Sequence, residues 1–102
     1  VEGLQKALDR IQQYIEAGAD MIFFEGVTDI KQYESATKQC SVPMLANITE
    51  FGLTPMFTKD QLKQAGIQLI LYPLSAFRAM SAAAANVYQA IRTEGTQQSV
   101  LN

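Results

Sequence analysis

The stretch EAGADMIFFEG at residues 16–26 decides the fold, and its pattern returns as KQAGIQLILYP at residues 63–73. Each stretch contains a helix end, a small residue followed by glycine, an apolar run and a polar stop. An apolar run without alternation is typical of a strand covered on both faces, as in a parallel sheet. Strand ends at Glu25, Asn47 and Tyr72 recur at the spacing of βα units, which predicts a parallel α/β sheet. We predict strands over residues 21–24, 43–46 and 67–71.

Amphipathic or alanine-rich segments fill the intervals between the predicted strands. The first helix is predicted over residues 2–17 and ends at Gly18, because glycine enters the left-handed conformation without steric cost. Thr58 and Gln61 form a capping-box pattern at the start of a short helix. The tail, residues 96–102, is predicted to be loosely held. The remaining helices are each predicted to begin at a hydroxyl N-cap. They run from Thr28 to about Gln39, from Thr58 to about Ala65 and from Ser75 to about Glu94.

Three strands are few for a parallel sheet with helices, because they would leave strand edges and apolar helix surface uncovered. At about 25 residues per βα unit, a (β/α)8 TIM barrel of roughly 200 to 250 residues would contain this chain as a consecutive part. We therefore expect an α/β fold that is a partial (β/α)8 TIM barrel, with about three consecutive βα units and parallel strands. A small open doubly wound sheet is the structural alternative. No glycine-rich phosphate loop supports a nucleotide-binding version of it, since neither GxGxxG nor GxxxxGK[ST] occurs.

The composition excludes several classes of function. The chain has 102 residues, with 8 basic and 10 acidic side chains and a net charge of −2, so we expect no nucleic acid and no anionic membrane as a main partner. No apolar run approaches the roughly 20 residues that span a bilayer. Histidine is absent, which excludes Ser-His and Cys-His nucleophilic pairs within the chain. The single cysteine, Cys40, fits a reducing cytoplasm and is predicted to be a packed thiol.

Polar residues follow the predicted strands at the carboxyl ends, where parallel sheets bind ligands. Arg78 offers a bidentate fork to a carboxylate, Asn47 and Thr49 offer neutral hydrogen bonds, and Glu25 offers a base or a hydroxyl acceptor. The plainer alternatives are a solvated loop glutamate and an exposed arginine. Residues 47–49 also match the N-glycosylation sequence, a reading that we discount because they follow a buried strand and no secretory signal opens the chain.

Two motifs, LANITEFGLTPMFT at residues 45–58 and LYPLSAFRAM at residues 71–80, resemble the isocitrate lyase/phosphoenolpyruvate mutase superfamily. The resemblance extends from EAGADMIFFEG to EGTQQSV, residues 16–100, and so covers most of the chain. Within the superfamily, NITEFG at residues 47–52 favours the group that acts on 2-methylisocitrate. The alternatives within the superfamily are isocitrate lyase, oxaloacetate hydrolase and phosphonopyruvate-type enzymes.

The resemblance implies a Mg2+-dependent (β/α)8-barrel lyase that cleaves 2-methylisocitrate to pyruvate and succinate in the methylcitrate cycle of propionate breakdown. It implies a small tricarboxylate as the substrate. The substrate contacts of the family match five positions of this sequence, namely Glu25, Asn47, Ile48, Thr49 and Arg78. The resemblance leaves the role of Glu50 open.

Other parts of the family's machinery have no counterpart in this sequence. The Lys-Cys-Gly-His loop with the catalytic cysteine, the paired aspartates that bind Mg2+ and a further substrate arginine do not occur. We therefore expect no catalytic residue and no metal ligand in the chain, with Mg2+ bound by residues outside it. Residues 1–102 would be the C-terminal portion of one barrel domain, about strands six to eight, and inactive alone. The resemblance further implies a cytoplasmic homo-oligomer, a dimer or tetramer with exchange of the last helix. A non-catalytic α/β association module is the alternative from another class.

Overall fold

A computed structural model describes residues 3–101 of the chain. The predicted start of the first helix at Glu2 and the last residue of the tail, Asn102, lie outside the described residues. Helices and strands alternate along this part of the chain, as the sequence predicts. Their bounds are α1 (Leu4–Glu16), β1 (Ile22–Phe23), α2 (Ile30–Gln39), β2 (Met44–Asn47), α3 (Lys59–Gln64), β3 (Leu69–Leu71), α4 (Ser75–Glu94) and the 3-10 helix η1 (Gln98–Val100).

The strands form a parallel sheet in the order β1-β2-β3, which confirms the predicted α/β class. Both outer strands are shorter than predicted. The prediction that the third strand begins at Ile67 is wrong, because the Ile67 N–H donates to the Leu62 carbonyl at 3.0 Å and closes the turn after α3. The central strand has the predicted length but is shifted by one residue, so that it begins at Met44 and Asn47 is its last member.

The two faces of the sheet differ in what covers them. Ile22, Met44 and Ala46 are buried on one face, in a core that α1, α2 and α3 complete. The helix residues of that core are Leu8, Ile11, Tyr33, Ala36 and Leu62. On the other face, Phe23 is 53% exposed, and Leu69 and Leu71 are each 42% exposed. In a complete (β/α)8 barrel, that second face lines the filled interior of the barrel.

Side-chain hydrogen bonds cap the beginnings of α2 and α3. The capping box of Thr58 and Gln61 is confirmed, since each side chain bonds the backbone N–H of the other residue. The prediction of Thr28 as an N-cap is wrong, because Asp29 lies one residue later and its carboxylate accepts from the Lys31 N–H at 2.9 Å. The prediction of Ser75 as the N-cap of α4 is also wrong.

Helix α4 begins instead after Leu74, which has a left-handed φ of 65°. The helix has 20 residues, ends at Glu94 as predicted with Gly95 as its C-cap, and is therefore about 30 Å long. The tail that was expected to be loosely held contains η1, which packs against α4. The radius of gyration is 19.6 Å, whereas a compact domain of this size has one of about 13 Å. None of the helices between residues 3 and 101 is long and apolar enough to cross a membrane.

Candidate functional site

The carboxyl ends of β1 and β2 bring two of the predicted site residues together. Glu25 follows β1 and is exposed, whereas Asn47 ends β2 and is partly buried. The Asn47 side-chain amide donates to Glu25 Oε2 at 3.5 Å, which is a long and weak hydrogen bond. Both polar groups can therefore turn towards a ligand at low cost.

Arg78 connects the third βα unit to the second. It lies in the first turn of α4, and its Nη1 donates to Thr49 Oγ1 at 3.4 Å. The same nitrogen forms an ion pair with the Glu50 carboxylate. The guanidinium carbon also lies 4.9 Å from the ring centroid of Phe51, within the range of a cation–π interaction. The structure thus brings Thr49 and Arg78 into contact across the site.

One edge of the Arg78 guanidinium remains open. Both of its hydrogen bonds use Nη1, and among residues 3–101 no partner is found for Nη2 or Nε. The Thr49 hydroxyl accepts from Arg78, so its own hydrogen is still available for donation. An open guanidinium edge beside a hydroxyl donor is suited to a carboxylate, which accepts two parallel N–H bonds from arginine.

Glu50 is the residue whose role the sequence left open, and the structure places it against Arg78. The Ser75 hydroxyl, the backbone N–H of Glu50 and the Arg78 guanidinium together hold the pKa of Glu50 below its usual range. Glu50 is therefore anionic at neutral pH. The contact joins residues 28 positions apart, and only the packing of the βα units brings them together.

Ile48 differs from the other predicted site residues in its position. Its side chain is buried in the core, and its N–H donates to the Leu71 carbonyl at 2.8 Å. The side chain of Ile48 is therefore taken up by the core and its N–H by the backbone of Leu71.

Tyr33 is a buried core residue close to Glu25 and Asn47 of the site. Its ring packs edge-to-face between Phe24 and Phe57. Burial, and then the negative charge of Glu25, raise the pKa of the Tyr33 hydroxyl. The Asn47 backbone and the Thr54 hydroxyl lie close enough to oppose that rise. No atom in the described part of the chain, however, meets hydrogen-bond geometry with the hydroxyl.

The residues that the structure describes do not fit a Mg2+ site. Between residues 3 and 101 no group of three or more carboxylate, cysteine or histidine side chains could hold a metal ion. A cleft of about 940 Å3 runs instead beside α1 and the outer edge of β1, with Glu25 at its rim. Leu4, Ile11 and Phe23 contribute to its apolar lining.

Comparison with known sequences gives matches over the whole chain. The sequence model of the phosphoenolpyruvate phosphomutase family matches residues 1–92. A 2-methylisocitrate lyase of Salmonella typhimurium is 55% identical over 102 residues, which are 100% of this chain and 35% of that protein. A 2-methylisocitrate lyase of Aeropyrum pernix is 42% identical over 102 residues, which are 100% of this chain and 33% of that protein. The chain thus spans about a third of the length of the curated relatives that it matches.

Solved structures give the same picture of the fold. A 2,3-dimethylmalate lyase, described as a member of the PEP mutase/isocitrate lyase superfamily, matches with a TM-score of 0.86 and 26% identity. The match covers 95% of this chain and 34% of that one. An oxaloacetate acetylhydrolase, at 22% identity, matches with a TM-score of 0.84 over 91% of this chain and 33% of that one, and so bears on the fold alone. The predicted fold, part of a (β/α)8 barrel, is confirmed.

Proposed function

Because this chain belongs to the phosphoenolpyruvate mutase/isocitrate lyase family, we propose that it is part of a 2-methylisocitrate lyase. The observation that carries the proposal is the 55% identity to the Salmonella typhimurium enzyme across the whole chain. The proposed reaction is the cleavage of a carbon–carbon bond in 2-methylisocitrate, which yields pyruvate and succinate in the methylcitrate cycle of propionate breakdown.

The proposed role of this chain is to bind the tricarboxylate substrate. Arg78 would hold a substrate carboxylate with its open edge, and Thr49 would donate its hydroxyl hydrogen to the same group. Asn47 and Glu25 would exchange their weak mutual bond for bonds to substrate oxygens, the carboxylate of Glu25 accepting from a hydroxyl. Ile48 would contribute its carbonyl oxygen. The contacts of Arg78 with Thr49, and of Asn47 with Glu25, support this arrangement.

The complete protein in this proposal is a barrel of which residues 1–102 are the C-terminal portion. Two observations support it, namely the exposed apolar face of the sheet and the share of the relatives' length that the chain spans. The catalytic cysteine and the residues that bind Mg2+ would then lie outside this chain. We accordingly expect the isolated chain to have no lyase activity.

The proposal also includes a cytoplasmic homo-oligomer, a dimer or a tetramer, in which α4 contacts another subunit. Phe77, Met80, Tyr88 and Ile91 support the oligomer, because they are exposed and lie along one side of α4. The unpaired thiol of Cys40 is compatible with a reducing compartment.

A substrate comparison with the complete protein tests the proposed activity. We expect pyruvate and succinate from 2-methylisocitrate, with a higher kcat/KM than for isocitrate, oxaloacetate or phosphonopyruvate. A higher kcat/KM for one of those three compounds would move the protein to another branch of the family. No turnover of any of them would favour the non-catalytic association module.

Two substitutions on α4 test the proposed binding role of Arg78. Arg78→Ala should lower kcat/KM by at least about 100-fold, because a buried substrate carboxylate would lose its charged partner. Arg92→Ala, in the last turn of the same helix, is the matched control and should leave kcat/KM unchanged. Equal kinetics of the two variants would refute the assignment of Arg78.

A further inference from the structure

Three consecutive residues hold the side chain of Arg78, each by a different interaction. Thr49 accepts a hydrogen bond, Glu50 forms an ion pair, and Phe51 offers the face of its ring. These residues belong to a turn that closes where the Gly52 N–H donates to the Thr49 carbonyl at 3.3 Å. The turn leaves little free space, since a Cβ atom added at Gly52 would lie 2.7 Å from Thr49 Cγ2.

Glu50 contacts the helix that carries Arg78 through its ion pair with that arginine. Ser75 precedes Arg78 by three residues, about one helical turn, and helps to lower the pKa of the Glu50 carboxylate. The carboxylate holds Nη1, and the Phe51 ring lies 4.9 Å from the guanidinium carbon. These two separate contacts constrain the orientation of the guanidinium as well as its position.

Stability is not a sufficient reason for this ion pair. The side chains of Arg78 and Glu50 are 34% and 35% exposed, and pairs at that exposure contribute little to the free energy of unfolding. Arg78 also lies near the amino-terminal end of a helix, where the helix dipole disfavours a cation. A long arginine side chain with about 2 kcal/mol of rotamer entropy would otherwise sample many directions at this position.

We propose that Glu50, supported by the ring of Phe51, is a positioning residue that holds Arg78 with its Nη2–Nε edge open towards a substrate carboxylate. The inference rests on the proposed function and adds to it the residue that orients the arginine. Glu50 contacts only the Nη1 nitrogen of Arg78. Because the guanidinium is planar, fixing Nη1 also keeps the other donors, Nη2 and Nε, in one plane. Binding then requires no further loss of rotamer freedom from Arg78.

The test uses the complete protein, with succinate as the binding probe in calorimetry and 2-methylisocitrate in kinetics. Glu50→Ala should raise the Kd for succinate and the KM by about tenfold, a typical coupling between contacting groups, with kcat changed much less. Its Tm should remain that of the parent protein. Glu94→Ala, an exposed glutamate at the far end of α4, is the matched control and should change none of these quantities.

A rescue experiment separates orientation from a general structural effect. If Glu50 acts through Arg78, then adding Glu50→Ala to Arg78→Ala should cause no further loss of succinate binding. Ethylguanidinium should restore part of the lost binding in Arg78→Ala, because Glu50 and Phe51 would hold the added cation. The double variant should not be rescued, since it lacks the carboxylate that orients the cation.

The outcomes distinguish this inference from the proposed function. Unchanged succinate binding in Arg78→Ala would overturn the proposed site itself. Loss of binding in Arg78→Ala, with the parent Kd in Glu50→Ala, would overturn the inference and leave the site standing. A crystal structure of the Glu50→Ala protein gives a readout that does not depend on the substrate. An unmoved, singly ordered Arg78 in that structure would also overturn the inference.

Discussion

Tyr33 carries a hydroxyl group whose surroundings disfavour ionisation. Its side chain is fully buried, and its pKa is raised by burial and by the charge of Glu25. A group with a raised pKa in the folded state stabilises the fold below its ordinary pKa. That contribution is lost as the pH rises from the ordinary tyrosine pKa near 10 towards the raised value. The fold should therefore weaken in alkaline solution.

We expect Tyr33→Phe to have little effect on the stability of the complete protein at neutral pH and to increase its stability at alkaline pH. At neutral pH the free energy of unfolding should change by less than about 1 kcal/mol, because the buried hydroxyl forms no hydrogen bond that would be lost. Above pH 10 the variant should be the more stable protein. Denaturant titrations at both pH values measure this, and Tyr14→Phe, at an exposed tyrosine, is the control. The same loss of alkaline stability in parent and Tyr33→Phe proteins would contradict the prediction.

The sequence predicts which residues lie at the site but only some of the contacts between them. Glu25, Asn47 and Thr49 follow strands whose apolar runs are visible in the sequence, so their position at the ligand face could be predicted. The pairing of Arg78 with Glu50 could not, because it depends on how β2 and β3 pair and on the direction in which α4 leaves β3. Ile48 was predicted as a substrate contact together with Asn47 and Thr49, but its side chain lies in the core.

Gly66 joins α3 to the sheet in a left-handed conformation that residues with a side chain rarely adopt. Its φ is +86°, and a Cβ atom there would lie 2.8 Å from Thr37 Oγ1 and 3.0 Å from Thr37 Cβ. That hydroxyl donates to the Ala65 carbonyl at 2.6 Å, which ties α2 to the end of α3. The close approach between these two helices therefore requires glycine.

We expect Gly66→Ala to destabilise the complete protein by about 2–4 kcal/mol, since it combines left-handed strain with a steric clash. Gly18→Ala is the matched control, because Gly18 has φ +104° with no atom within 4 Å of its added Cβ. It should cost about 1–2 kcal/mol from strain alone. Thermal and denaturant unfolding measure both values, and an equal loss in the two variants would argue against the clash with Thr37.

Elements were predicted well where one local signal dominates and less well where two compete. The capping box of Thr58 and Gln61 has no rival nearby, and its helix begins where expected. Thr28 and Asp29 are adjacent N-cap candidates, and the carboxylate of the second accepts the helix N–H. Ser75 has a hydroxyl of the kind that caps helices, but it lies inside α4, and the N-cap position belongs to Leu74, which forms no side-chain cap.

At the scale of the whole molecule, α4 stands apart from the layer of helices that covers the sheet. The described residues extend over 61 × 25 × 24 Å, and among them α4 packs mainly against η1. The sequence predicted that this helix ends at about Glu94, as it does. Its direction could not be predicted, because it is set by the left-handed Leu74 at its start, a conformation that leucine rarely adopts.

We expect Met80→Lys to shift the complete protein towards smaller oligomers, because a charge would enter the apolar side of α4. Sedimentation velocity over a dilution series measures the change. Ala82→Lys places the same charge about 160° away from Met80 around the helix and is the matched control, so it should sediment as the parent does. Identical sedimentation of the two variants would remove α4 from the proposed subunit contact.

The exposed face of the sheet, which carries Phe23, Leu69 and Leu71, has a consequence for synthesis on the ribosome. If this segment is the last third of the barrel, the earlier strands must wait for it with their own hydrogen-bonding edges unpaired. Closure of the ring then depends on this segment, and the long-range parallel pairing that it completes is slow. The nascent chain passes through its most aggregation-prone stage immediately before residues 22–71 become free to pair. Chaperone demand should therefore concentrate at the stage when this segment is being synthesised.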